Sequence, residues 1–220
     1  MERNKVKFEE GRPKTERVVI NSISHLNKMI EYKRFSNISK SYSLGQPDKK
    51  YVHRFFWNPP DHQTVKVNTD GSFNKTGAGV GGVYRNHLGQ CLLYFHIPIE
   101  ATDAVETELM VVYWALKIAK MASWTKLWVE VDSTAVIKIL RDDDLIPWHL
   151  IYWTKKIREI SSLINVQYTF IFRDGNQPAN WLAIQGYNLQ ELSVVVSPLR
   201  TLQFLLQGDR LKVPYFRIAN

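Results

Sequence analysis

From residue 65 the chain alternates. Val65, Val67 and Thr69 fall on one face of an extended segment, and Lys66, Asn68 and Asp70 on the other. NKTG at 74–77 is a turn and AGVGGVYR at 78–85 the returning strand. NHLG at 86–89 is a second turn, and QCLLYFHI at 90–97 a third strand. The period then becomes helical: over 103–121, Val105, Leu109, Val112, Leu116 and Ala119 cluster on one face. KLWVEVDS at 126–133 predicts a fourth strand ending in Asp132, and STAVIKIL a short helix with Ser133 as its N-cap. RDDDL breaks that helix. A long helix over 146–164 follows with Pro147 near its start, then a fifth strand at 166–172 and a last helix at 176–187. The order is βββαβ(αα)βα, an α/β pattern in which the first and fourth strands can lie adjacent and parallel.

Two local patterns compete with this reading. Asp70-Gly71 is itself a hairpin-turn signal, but the turn at 74–77 and the strand after it leave Asp70 within or at the end of strand one. GAGVGG at 77–82 has the spacing of a dinucleotide fingerprint, which requires a helix opening at the glycines. Here a strand and another turn follow, so the glycines are expected to let a helix or ligand backbone approach the sheet closely.

Before Phe55 the texture differs. Over 12–34, Val19, Ile23, Leu26 and Ile30 form one helical stripe, and 35–50 reads as a flexible linker. Residues 1–54 are therefore expected to be a basic N-terminal extension, 55–190 the domain and 191–220 a C-terminal tail. The 19–30 helix is a candidate contact for its own domain or for a protein partner. Charge sharpens the division. Residues 1–50 hold 12 Lys/Arg and 6 Asp/Glu, while 51–220 hold 17 and 15. A basic arm on a near-neutral domain fits contact with a polyanion. A hydrophobic fraction of 45% argues against global disorder, and a single cysteine, Cys91, rules out an internal disulfide and fits a reducing compartment. With no signal sequence and no apolar run approaching the ~18 residues of a membrane span, the expectation is an intracellular monomer, nuclear or cytoplasmic, away from membranes.

Three acids stand out by position: Asp70 on strand one, Glu108 at the sheet-facing edge of the 103–121 helix, and Asp132 ending strand four. If the first and fourth strands pair, these carboxylates converge. Converging carboxylates repel unless a cation sits among them, and hard divalent ions take oxygen ligands. Spacing alone favours the plainer alternative of three unrelated surface or capping acids. RDDDL at 141–145 is a solvated loop rather than a metal site, since consecutive acids do not share a face.

Six motifs in order change that balance: W-x-P-P at 57–60, K-x-N-x-D-G-S at 66–72, R-x-x-x-G at 85–89, T-E-L at 107–109, V-E-x-D-S at 129–133 and R-D-x-N-x-x-A-N-x-L-A at 173–183. Together they resemble type 1 ribonuclease H, in the form found in plants and at the C-terminal end of plant non-LTR retroelement polyproteins. The flanking RNKVKF and DRLKVPYFR also resemble such polyproteins. The resemblance implies a ribonuclease H-like fold with a five-stranded mixed sheet, three antiparallel strands then two parallel, in the order 3-2-1-4-5. It implies cleavage of the RNA strand of RNA–DNA hybrids with two Mg²⁺ ions, Mn²⁺ being an alternative ion. Asp70, Glu108 and Asp132 match three of the family's four acids. The fourth lies in A-D-x-L-A, where this chain has Asn180, and Asp174 matches a different family acid. Asn keeps a carbonyl oxygen and loses the charge, so weaker binding of one metal and slower turnover are expected. Lys66, Asn68, Gly71, Ser72, Asn74, Arg173 and Asn176 occupy motif positions near the proposed centre and are candidates for contact with the hybrid backbone, the alternative for some of them being a role as turn residues only. The alternatives are an inactive nucleic-acid-binding remnant and a protein-interaction module built on the 19–30 helix.

Overall fold

A computed structural model describes residues 51–141 and 146–219. The helix expected over 12–34, the linker and the partner contact at 19–30 lie outside the described residues.

Strand β1 is Tyr51–Phe55, followed by β2 Val65–Asn74, β3 Gly77–Arg85 and β4 Cys91–Ile99. Helix α1, Ala104–Met121, opens on Asp103, whose carboxylate accepts the Glu106 N–H at 2.8 Å, which satisfies one of the orphan donors of the first turn. Next come β5 Lys126–Val131, α2 Thr134–Arg141, a 3₁₀ turn at Trp148–Leu150 and α3 Ile151–Ser161. The helix expected over 146–164 thus starts as a tighter turn after Pro147. Strand β6 is Asn165–Phe170, and a second 3₁₀ turn, Arg173–Gly175, leads into α4 Gln177–Tyr187.

The main sheet has the order β6-β5-β2-β3-β4 followed by a short strand at Ser193–Val195, with β2–β3 and β3–β4 antiparallel and β2–β5 and β5–β6 parallel. Its first five members reproduce the expected 3-2-1-4-5 order. The segment beyond 190, expected as a tail, adds three elements: β7 Ser193–Val195 on the free edge of β4, α5 Arg200–Arg210, and β8 Tyr215–Ala219, which pairs with β1 in a separate two-stranded ribbon. The reason is burial. Leu202 and Leu206 of α5 pack with Val83, Tyr94 and Leu182, removing apolar surface from water.

Each face of the sheet carries helices. Val67, Tyr84, Phe95, Leu127 and Val129 pack with Leu109, Val112 and Leu116 of α1 in the larger core. Helix α4 lies on the opposite face, against β3. A Cβ at Gly81 would lie 2.3 Å from the Ala183 nitrogen, and one at Gly79 2.3 Å from the Tyr187 nitrogen. The glycine run exists for this contact, as its sequence context implied.

Candidate metal centre

The register of β2 on β5 brings the first two acids together. Thr69 and Val131 are the last partners in that parallel pair, so the next residues along each strand are Asp70 and Asp132. On the other side Asp70 is partnered by Gly81. The third acid comes from α1, which crosses close to β2: a Cβ at Gly71 would lie 2.7 Å from the Thr107 methyl group. That approach lets the Gly71 N–H donate to Glu108 Oε1 at 3.2 Å. One carboxylate oxygen from each of Asp70, Glu108 and Asp132 lies within 4.8 Å of the other two.

The electrostatics of this cluster are unfavourable as it stands. Asp70 is 1% exposed and Glu108 6%. Both Asp70 oxygens and Glu108 Oε2 are buried without a hydrogen-bond partner. Burial, followed by the charge of Asp132, pushes the Asp70 carboxyl up to about 8. Burial, with Asp70 and Asp132 next, holds Glu108 well above the usual carboxylate range. The nearby compensation is Arg173, whose Nε donates to Asp132 Oδ2 at 3.0 Å while its side chain stays exposed. Native proteins leave few buried polar atoms unpaired. Orphaned carboxylate oxygens that converge are the donor set a hard divalent cation requires.

Asn180 lies in α4. Asn176, at the N-cap, donates from Nδ2 to the Thr69 carbonyl at 2.8 Å, directly before Asp70. The Asn180 N–H returns to the Asn176 carbonyl at 3.0 Å, so Asn180 stands one turn further on along the same helix face. It is half-buried.

The residues expected to touch nucleic acid separate into two groups. Gly71 and Ser72 follow Asp70 and are half-buried, Arg173 is exposed beside Asp132, and Asn74 is exposed at the far end of β2. The Asn74 side chain is turned to its own loop, accepting from the Thr76 N–H at 2.8 Å. Lys66, Asn68 and Asn176 are completely buried, which removes them as surface contacts. Lys66 Nζ reaches Glu130 Oε1 and the Asn58 carbonyl, each at 2.7 Å, and sits 3.6 Å above the Trp128 ring. Asn68 accepts from Trp57 Nε1 at 3.0 Å and from Arg85 at 2.6 Å, and donates to Glu130 at 2.9 Å and Asn176 at 3.2 Å. Alternation in β2 puts Lys66 and Asn68 on one face, and that face is closed by Asn176 with α4, by Arg85 with Asp209 of α5, and by Trp57.

Arg85, Glu130 and Asp209 were given no role in the sequence reading. Arg85 is completely buried and paired with Asp209, which also accepts from the Tyr215 hydroxyl at 2.6 Å. Arg85 and Glu130 were visible as motif positions, and Asp209 as the first residue of DRLKVPYFR. None of these patterns marked its residue as buried.

Helices on both faces of a mixed sheet, with acids at the ends of its adjacent parallel strands, define a ribonuclease H fold. Solved structures share it. Ribonuclease H1 of the archaeon Halobacterium salinarum superposes with a TM-score of 0.54 at 22% identity, over 57% of this chain and 98% of that one. The N-terminal RNase H domain of a Mycobacterium tuberculosis protein gives 0.53 at 20% identity, over 57% and 94%. LC11-RNase H1 from compost, solved with an RNA/DNA hybrid, gives 0.52 at 20% identity, over 56% and 96%. Among curated protein sequences none matches. The chain belongs to the reverse transcriptase-like family, whose pattern matches residues 68–186, from within β2 to within α4.

Proposed function

We propose that this domain is a divalent-metal-dependent nuclease that hydrolyses the RNA strand of RNA–DNA hybrids, in a chain of retroelement origin of the plant non-LTR type. The observation that carries the nuclease reading is the convergence of Asp70, Glu108 and Asp132 with orphaned, buried oxygens. The flanking RNKVKF and DRLKVPYFR segments support the origin. LC11-RNase H1, which shares the fold and was solved with an RNA/DNA hybrid, supports the substrate.

Asp70, Glu108 and Asp132 would hold Mg²⁺ or Mn²⁺, with Asn180 offering an uncharged carbonyl. When bound, such ions activate a water and stabilise the leaving oxygen of a phosphodiester. The chain's own residues prepare the site. Gly71 fixes one oxygen of Glu108 through its N–H. Arg173 holds one oxygen of Asp132, and its exposed guanidinium supplies positive charge where a phosphate would approach. Asn176 anchors the backbone of β2 beside Asp70.

The test is cleavage of a hybrid in Mg²⁺ and in Mn²⁺, with Asp70→Asn as control. The expected result is cleavage by the native chain and none by the control. Equal rates would refute the enzyme reading and leave a nucleic-acid-binding remnant. Asn180→Asp adds an anionic ligand and is expected to raise the rate and lower the metal concentration needed. An unchanged rate would remove Asn180 from the ligand set.

A further inference from the structure

The ribbon of β1 and β8 lies outside the stretch that defines the family, residues 68–186. It seats on the 3₁₀ turn that carries Arg173. A Cβ at Gly175 would lie 2.6 Å from the Phe55 ring, so glycine there lets β1 settle onto the turn. From β8, Arg217 pairs with Asp174 of the same turn at 3.7 Å and lies 4.8 Å above the Phe172 ring. Phe172 meets Phe55 at 5.3 Å and Phe170 at 5.2 Å between ring centroids. These groups are not a closed core. Phe170 is 39% and Phe172 37% exposed, and the side chains of Arg217 and Arg173 are 45% and 65% exposed.

An exposed pair of aromatic rings flanked by two guanidinium groups is the composition of a single-strand nucleic-acid platform. Rings stack on bases, and every base has a π-face; guanidinium groups take phosphates. A duplex offers no free base faces to such rings, whereas an unpaired strand does. The patch is continuous with the acidic cluster through Arg173, which bonds Asp132. We propose that Phe170, Phe172, Arg173 and Arg217 bind the unpaired strand that continues beyond the hybrid held at the metal centre. The proposal rests on the nuclease reading for its position but not for its chemistry.

The test uses the full chain in EDTA, with three fluorescent probes: a blunt hybrid, the same hybrid carrying an unpaired extension of about eight nucleotides, and that extension as a free oligonucleotide. The extension is expected to tighten binding on the order of tenfold. Phe170→Leu with Phe172→Leu keeps apolar bulk and removes ring stacking. Its ratio of blunt to extended Kd should fall to about one, and its grip on the free oligonucleotide should weaken. Arg217→Gln should flatten the salt dependence of log Kd for the free oligonucleotide by about 0.7. Ratios within one variant cancel any general loss of folded protein. A native chain that ignores the extension, or leucine variants that keep the full advantage, would overturn the proposal even if the hybrid is cleaved. Ring-dependent binding of the free oligonucleotide without hybrid cleavage would uphold the platform and refute the nuclease reading.

Discussion

Asp70→Asn should stabilise the metal-free protein while abolishing its proposed activity. Asp70 is 1% exposed and both its oxygens lack partners. Its carboxyl is raised from 3.8 to about 8, by burial first and the charge of Asp132 second. The sign follows from linkage. Below about pH 4 the carboxyl is protonated in both folded and unfolded chains and adds nothing to the pH dependence. As pH rises towards 8 the unfolded chain ionises first, so folding is progressively penalised. Above 8 the penalty is constant, at most about 6 kcal/mol at about 1.4 kcal/mol per unit. An asparagine never carries that penalty but leaves a buried amide short of partners, costing about 1–3 kcal/mol. The variant should therefore gain on the order of 3 kcal/mol over the native chain at pH 9 in EDTA, and little at pH 5. Urea denaturation at the two pH values measures it. Mg²⁺ should raise the midpoint of the native chain far more than that of the variant. A variant less stable than the native chain at pH 9 in EDTA would refute the argument that an ionised Asp70, buried beside Asp132, opposes folding.

Three further perturbations test other links. Asp209→Ala leaves the Arg85 charge buried and unpaired, and should cost about 3–5 kcal/mol in urea unfolding. Gly81→Ala drives a methyl group into the backbone of α4 at Ala183; it should cost about 1–3 kcal/mol or more and slow cleavage, because α4 carries Asn180. Removing residues 1–50, which carry a net charge of +6, should weaken hybrid binding and reduce its salt slope. An unchanged slope would exclude the arm from phosphate contact.

The strand order and the three clustered acids were legible because each depends on local pattern joined by one pairing rule. Alternation located Asp70, helical periodicity put Glu108 at the edge of the sheet-facing stripe, and the parallel β2–β5 crossover aligned Asp132. The glycine run was legible for the same reason, since a turn rather than a helix follows it. Lys66, Asn68 and Asn176 were misplaced because a motif position does not say which way a polar residue faces. In β2 the polar face is not the solvent face: it is covered by elements distant in sequence. The segment after 190 was misjudged for a related reason. Its strands are short, and the pairing of β8 with β1 joins residues more than 150 apart. Such contacts leave no periodic trace.

That covered face holds a buried charge network beside the acidic cluster. Burial pushes the Lys66 amine down to about 8 and raises Glu130, and their mutual attraction only partly opposes both shifts. Such a pair is weak evidence for stability, since an apolar pair of similar volume often does as well. Its connections are more informative. From Asp209 in α5 the bonds run through Arg85 to Asn68, from Asn68 to Asn176, and from Asn176 to the carbonyl preceding Asp70. Every step is directional, whereas apolar packing would tolerate slip. A metal centre needs its ligands held within about half an ångström. The chain from the C-terminal helix therefore fixes β2 and the start of α4 relative to each other, the two elements that carry Asp70 and Asn180. On this argument, Asn176→Ala should lower metal affinity more than it lowers the unfolding midpoint in EDTA. Equal losses in both would reduce the network to ordinary packing.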